Sequence, residues 1–350
     1  MHEARKLHEV TPEGQLRVVR FAPDGKALWG GSYDGRVRRW DLSGETPREL
    51  PELTGHHGFV DAMACAPSLR RMFTADSWGR LCAWEPGDTP AVKWQHEAAH
   101  DGWIRQMALS PDEKRLATCG RDKIVRIWSA ETGERLAELA GHVDEVFAVA
   151  FHPDGKALVS ADLLANVKHW DLNAGTCARD VRLPKLHYYN RDHDVAGVYA
   201  LRFIDGGKTL VAAGSNPTGN GFVAGFPHVE LVAWDSLTVT KSFTLGTKED
   251  GFVFEVSEHP DGYLVLVTSG AFGVGQVLLL RTAEDKPFFT SKDLVNCHSL
   301  ALHAESKRVA IVSTNRGSNG NGAVRDKEGK YRPNVSPVTI MEFAAAPSSG

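Results

Sequence analysis

Four prolines, Pro23, Pro67, Pro111 and Pro153, are each followed 17 residues later by a tryptophan: Trp40, Trp84, Trp128 and Trp170. Three of these tryptophans are also preceded, 28 residues earlier, by a histidine, at His56, His100 and His142. Self-similarity at a fixed interval marks a chain built from stacked copies of one supersecondary unit. The fold must therefore be read repeat by repeat.

Within a repeat, an apolar alternation meets a turn, a second apolar run, a tight turn and a third alternating run ending in tryptophan, as in FHPDGKALVSADLLANVKHWDL from Phe151. Alternation with a period of two, punctuated by turns, predicts antiparallel strands. The PDG at Pro23–Gly25, Pro153–Gly155 and Pro260–Gly262 supplies a turn, because proline presets φ, aspartate caps locally and glycine accepts positive φ. A further run after each tryptophan, such as Arg135–Leu139, adds a fourth strand. A four-stranded sheet of ~40 to 50 residues cannot cover both its faces alone and has to stack on its neighbours.

The 350 residues, 42% of them hydrophobic, suffice for a sizeable core. Basic and acidic residues number 40 and 44, a formal charge of -4, which gives no basic face for duplex nucleic acid. Cys65, Cys82, Cys119, Cys177 and Cys297 form no CxxC pair and no disulfide framework, and read as reduced core thiols. The opening MHEARKLHEV lacks the apolar run of a secretory signal, which points to the cytoplasm. The most apolar stretch, Leu264–Leu280, is broken by Gly270, Gly273 and Gly275, so it reads as strands and not as a membrane span of ~20 residues.

WDL at Trp40 and Trp170, GH at Gly55-His56 and Gly141-His142, and the PDG between them resemble the WD-repeat (WD40) β-propeller family. The resemblance implies an all-β, seven-bladed β-propeller of four-stranded antiparallel blades over residues 1–343, closed by an N-terminal strand, Lys6–Val10, in the last blade. Blades are expected near Trp40, Trp84, Trp128, Trp170, Trp234, Leu280 and Met341, with a flexible tail at 344–350. The last three repeats are degenerate, with Ile204 and Ala304 at the proline position of the fifth and seventh. A six-bladed ring with a disordered tail from about Asn315 is the alternative, and the apolar VTIMEF at Val338–Phe343 argues against it.

The family's hydrogen-bonded tetrad carries over in full to His100, Thr118, Asp122 and Trp128. Repeat two has His56, Thr74 and Trp84 but Trp78 at the aspartate position, and repeat four has His142, Ser160 and Trp170 but Leu164. Repeat one keeps Asp34 and Trp40, with Pro12 in place of the histidine. The resemblance further implies that the turns between second and third strands and the links into each first strand share one face, where partners dock. Those positions offer Arg17, Phe59, Asp61, Trp103, Arg105, Glu145, Phe147, Tyr199, Phe252 and Phe254 from the links, and Tyr33, Trp78, Arg121 and Leu163 from the turns. Aromatic residues and arginine are the types enriched at binding hot spots.

Three longer segments, Lys185–Asp194, Gly214–His228 and Asn315–Pro337, are expected on that face, the last with five basic residues against two acidic. HEAAH at His96–His100 matches the zinc-protease pattern, but that motif needs a helix, and the 28-residue register already accounts for His100. His187, Asp192, His193, Asp194 and His228 are candidate metal ligands. No phosphate-binding loop and no GxSxG is present. The expectation is a non-catalytic scaffold without cofactor, monomeric or a domain of a larger assembly, binding a protein or peptide partner and neither nucleic acid nor membrane. The alternative is a propeller enzyme, a metal-assisted hydrolase or lactonase-like protein, using His187–Asp194.

Overall fold

A computed structural model describes residues 2–190, 193–217, 225–270, 273–314, 328–330 and 334–345. Its strands form seven four-stranded antiparallel sheets, six of them running in chain order from an inner to an outer strand, and one two-stranded hairpin, His187–Asn190 with His193–Ala196. The inner strands are Leu16–Phe21, Val60–Ala66, Ile104–Leu109, Val146–Phe151, Val198–Ile204, Phe252–His259 and Val295–His303. The seventh sheet takes its third strand from Val338–Ala345 and its outer strand from His2–Val10. The ring thus has seven blades, and the six-bladed alternative falls. His2–Val10 makes the closing strand four residues longer than the segment the sequence suggested.

The core is a set of interblade seams. Trp29 and Val18 of blade one meet Met63 and Trp84 of blade two. Trp170 and Phe151 of blade four meet Cys119 and Ile127 of blade three, and Leu16 and Trp40 of blade one meet Val338 and Ile340 of blade seven. Each sheet is apolar on both faces because each face is a seam, so burial runs unbroken along second strands such as Ala157–Asp162. The first hairpin of a blade turns where Gly25, Gly155 and Gly262 adopt φ of 65°, 72° and 80°, a conformation that a side chain would strain.

Blade five departs from the expected register. Phe203 pairs with Leu210 as Phe151 pairs with Leu158, which puts Asp205, and not Ile204, at the proline position. Opposite Leu210, in the place of Trp170, stands Val232. Trp234 lies two residues beyond, stacked on His152 at 4.9 Å. Leu280 and Met341 face Leu264 and Val309 in the corresponding positions.

The polar networks differ from the expectation in two blades. In blade three, His100 bonds Asp122 through Nδ1 (2.9 Å) and Thr118 through Nε2 (2.7 Å), and Trp128 Nε1 donates to Thr118 at 2.8 Å. Blade two makes the same set with Asp76: His56 Nδ1 lies 3.1 Å from Asp76, His56 Nε2 2.7 Å from Thr74, and Trp84 donates to Thr74 at 2.8 Å. In blade four, His142 binds Asp162 (2.9 Å) and Ser160 (2.7 Å), and Trp170 donates to Ser160 at 2.7 Å. Neither network is incomplete. The carboxylate stands at the end of the second strand, two residues before Trp78 and Leu164, and reaches the same histidine from there. In blade one, Gly30 occupies the hydroxyl position, where a Cβ would press on Leu16 and Trp40, and Asp34 holds Arg38 at 2.9 Å.

Burial alone would raise the Asp76 carboxyl, but His56 and the backbone N–H groups of Arg80 and His57 outweigh it and hold the pKa at about 2. Asp122 and Asp162 are lowered in the same way, against burial, by His100 with Arg126 and by His142 with Asn166. Burial lowers the His100 imidazole, with Asp122 opposing. A carboxylate with a depressed folded pKa stabilises above its unfolded value of ~3.9 and loses that contribution as pH falls towards the folded value. A histidine with a depressed pKa likewise loses stability below its unfolded value of ~6.5, because the unfolded chain takes up the proton first. The urea midpoint is therefore expected to decline below about pH 6.5 and more steeply below about pH 4. Asp76→Asn should lower the midpoint at pH 7 and flatten the acid limb, whereas an acid limb parallel to wild type would remove Asp76 from this account.

Deleting His2–Val10 strips the ladder from Val338–Ala345 and uncovers Val338 and Ile340, both fully buried. The expected loss is on the order of 3–5 kcal/mol, seen as an earlier urea transition, and an unchanged transition would contradict closure by this strand.

Candidate functional site

One irregularity, repeated around the ring, builds the axial opening. The register of each inner strand slips by a residue near its start, between Leu16 and Val18, Val60 and Ala62, Ile104 and Gln106, Val146 and Ala148, Val198 and Ala200, and Val253 and Glu255. In blade seven the slip is wider, between Val295 and Ser299. A bulge leaves a residue outside the ladder and re-aims its side chain. The residues released are Arg17, Asp61, Arg105, Phe147, Tyr199 and Phe254, and with His298 of blade seven they line one cavity of about 330 Å3. Three positions further on, Arg20, Ala64, Ala108, Ala150, Arg202, Ser257 and Ala301 line the axial channel, about 730 Å3, that continues below. Four alanines among the seven keep it open.

The mouth is polar on one side and aromatic on the other. Arg17 is ion-paired with Asp61 and donates to the Tyr33 hydroxyl at 2.9 Å. Asp61, with only 3% of its side chain exposed, also accepts the indole N–H of Trp103. Trp103 lies between two guanidinium groups, with Arg105 Cζ 3.7 Å and Arg17 Cζ 5.8 Å from its ring centre. Arg105 donates to Glu145 at 2.6 Å. Burial opposes the Arg17 cation, yet Asp61 and Tyr33 outweigh it and hold its pKa above the usual arginine value. Burial pushes the Asp61 carboxyl up, with Arg17 opposing. These two directions pull the pair apart, and the contact geometry favours the first, a charged guanidinium on a carboxylate.

On the other side, Tyr199 touches Phe147 (5.1 Å), Phe252 (5.3 Å) and Phe254 (5.4 Å) between ring centres. Tyr33, Phe59 and Trp103 continue the aromatic surface, with neighbouring centres 5.1 and 6.0 Å apart. Tyr33, Phe59 and Trp78 are 37%, 39% and 66% exposed, which leaves them as surface and not as filler between blades. Trp78 lies apart from the cavity, 6.2 Å from His57, and Arg121 reaches only to 3.8 Å from Glu145.

Sequence reasoning missed His298, Arg20 and Glu255. A signal for His298 was there: Arg17 precedes Pro23 by six residues, the same interval separates Asp61 from Pro67 and Phe254 from Pro260, and six residues before Ala304 is His298. Its ring spans the closing seam, with Nδ1 2.7 Å from Asn296 O and Nε2 2.9 Å from Leu16 O, and burial lowers its pKa.

The family description "WD domain, G-beta repeat" matches residues 94–129 and 133–171, the repeats that carry the tetrads of His100 and His142. Two of the seven blades are thus WD repeats by that match, and the seven-bladed ring around them is the fold that the resemblance to that family implies. The chain is 30% identical over 168 residues to nuclear distribution protein PAC1 of Arthroderma otae, covering 48% of this chain and 31% of that protein. It is 30% identical over 143 residues to protein groucho of Drosophila melanogaster, 41% of this chain and 19% of that one. A 66 kDa stress protein of Physarum polycephalum is 28% identical over 159 residues, 45% and 26%. The match thus spans under a third of each relative's length.

The other candidate residues lie elsewhere. His187 gives Nε2 to Asp194 at 2.7 Å, while its Nδ1 lies 3.2 Å from the Arg182 guanidinium, so both ring nitrogens are engaged. Buried His228 bonds Thr244 at 3.1 Å. Asp192, residues 218–224, most of Asn315–Pro337 and the tail from 346 lie outside the described residues. Among the described residues, no three ligating side chains converge as a metal site and no helix is long and apolar enough to cross a membrane. His96 ends the strand Ala91–His96 with Nε2 2.7 Å from Gly133 O, so HEAAH has no helix to sit on.

Asp61→Ala would leave Arg17 without its counter-ion and the Trp103 N–H without its acceptor. The expected cost is roughly 1–3 kcal/mol in urea unfolding, with Asp61→Asn milder because its amide oxygen still accepts from Trp103. Two variants as stable as wild type would mean that the carboxylate does not organise this rim.

Proposed function

We propose that this ring is a non-catalytic scaffold that docks a protein or peptide partner on the mouth face. The observation that carries the reading is the convergence, on one opening, of a bulged residue from each of six blades, flanked through Trp103 by exposed Phe59 and Tyr33. The partner-binding set is Arg17, Tyr33, Phe59, Asp61, Trp78, Trp103, Arg105, Arg121, Phe147, Tyr199, Phe252 and Phe254. A rigid rim rich in aromatic residues and arginine is what a hot-spot surface requires. Asp61 serves from below, holding Arg17 and Trp103 in position.

Among the described residues, the competing enzyme reading draws no support from His187, Asp194 or the buried thiols. His187 and Asp194 are spent on each other and on Arg182. Burial pushes the thiols of Cys65 and Cys297 up to about 12, and that of Cys119 higher, far from the thiolate a nucleophile needs. Cys177, on an outer strand, is exposed and is not the core thiol expected of it; five unpaired cysteines suit a reducing compartment, and the cytoplasm is the location we infer.

Affinity capture with wild type and with Phe59→Ala/Phe254→Ala, both checked for unchanged melting, tests the docking face. A partner held by wild type and lost by the variant is the expected outcome. Equal capture by both would move docking off this face, and a stoichiometric metal in the purified chain would return attention to the hydrolase reading.

A further inference from the structure

The chemistry of the partner follows from the charge balance of the mouth. Each arginine there already holds a carboxylate: Arg17 holds Asp61, Arg105 holds Glu145 at 2.6 Å, and Arg20 holds Glu255 at 2.6 Å. Each of these carboxylates is in turn committed, Glu255 also accepting from the Leu300 N–H at 2.7 Å and from Ser299 at 3.1 Å. A charged side chain entering the cavity would have to break one of these pairs or remain unpaired in a recess, and both are costly. Among the described residues of the mouth lining, an acidic anchor finds no uncommitted guanidinium and a basic anchor no uncommitted carboxylate; Arg202 stands in the channel below, where burial disfavours its charge.

What the lining does offer is aromatic surface, from Trp103, Phe147, Tyr199 and Phe254. Aromatic faces reward a second ring or a large aliphatic group through area and ring geometry, with no ion pair to displace. The volume, about 330 Å3, lies at the small end of ligand pockets and suits one large side chain in place of a packed helix.

We propose that the mouth receives a single uncharged side chain, aromatic or large aliphatic, presented by an extended peptide segment of the partner. This rests on the docking reading above and names the anchor it would use. Neighbouring residues of the segment would lie across Tyr33 and Phe59, on the exposed side of blades one and two.

The test is to pan phage-displayed random dodecapeptides on the intact 350-residue chain and sort the enriched pool by dependence on Phe254→Ala. Phe147→Ala serves as the second variant, should the first melt early. Mouth-dependent peptides are expected to share Phe, Tyr, Trp or Leu at one position, and a synthetic member should weaken at least about tenfold when that residue becomes Lys or Glu. Mouth-dependent peptides that converge on a charged anchor would overturn this inference and leave the docking reading standing. A pool indifferent to both variants, or no enrichment at all, would overturn both.

Discussion

A four-stranded sheet with two apolar faces cannot be stable in water on its own, and everything else in this molecule follows from how that problem is solved. Each face is covered by the next blade, so the core is divided among seams and no blade has a private interior. A linear stack would leave its two end faces bare; a ring leaves none. Closure is the last of these seams, made when the N-terminal strand completes the sheet of the C-terminal blade and the cluster of Leu16, Trp40, Val338 and Ile340 is sealed. Residues more than 300 positions apart are thereby made neighbours.

The two halves of the ring fasten their blades by different chemistry. Blades two to four use buried histidine, hydroxyl, carboxylate and indole groups in fully satisfied networks, which are costly if any member is lost and rigid when complete. In blades five to seven the hydroxyl and indole positions hold Ala212 with Val232, Leu266 with Leu280, and Ile311 with Met341, all of them apolar. Replacing buried polar networks by packed aliphatic groups keeps the seam dry without a need for directional bonds. The aliphatic solution is equally sound as a fold and far quieter as a sequence.

That contrast explains what could be read from the residues. Blades one to four were legible because PDG turns, GH links and terminal tryptophans fix register through particular residue types. Blade five misled by a residue or two because its only tryptophan, Trp234, sits beyond the strand and packs on His152, while Val232 does the work of the expected indole and carries no distinctive mark. Asp76 and Asp162 were overlooked for a related reason: a carboxylate is recognised by the histidine it reaches, and a reach of two residues along the backbone is invisible to alignment by spacing. The rim residues were legible as positions, and their division into a paired polar side and an aromatic side emerged only from contacts that cross between blades, such as Trp103 to Asp61 and Tyr199 to Phe252.

The bulges have one more consequence. Because each of the seven bulged residues, Arg17 to His298, stands outside the hydrogen-bonded ladder of its strand, exchanging it leaves the strand pairing of that blade untouched. The opening is therefore composed of separate choices, one per blade, spaced a repeat apart along the chain, on a framework indifferent to most of them. Recognition and architecture are written at different positions of the same sequence, so lineages of such rings can diverge in what they hold while remaining superimposable in how they are built.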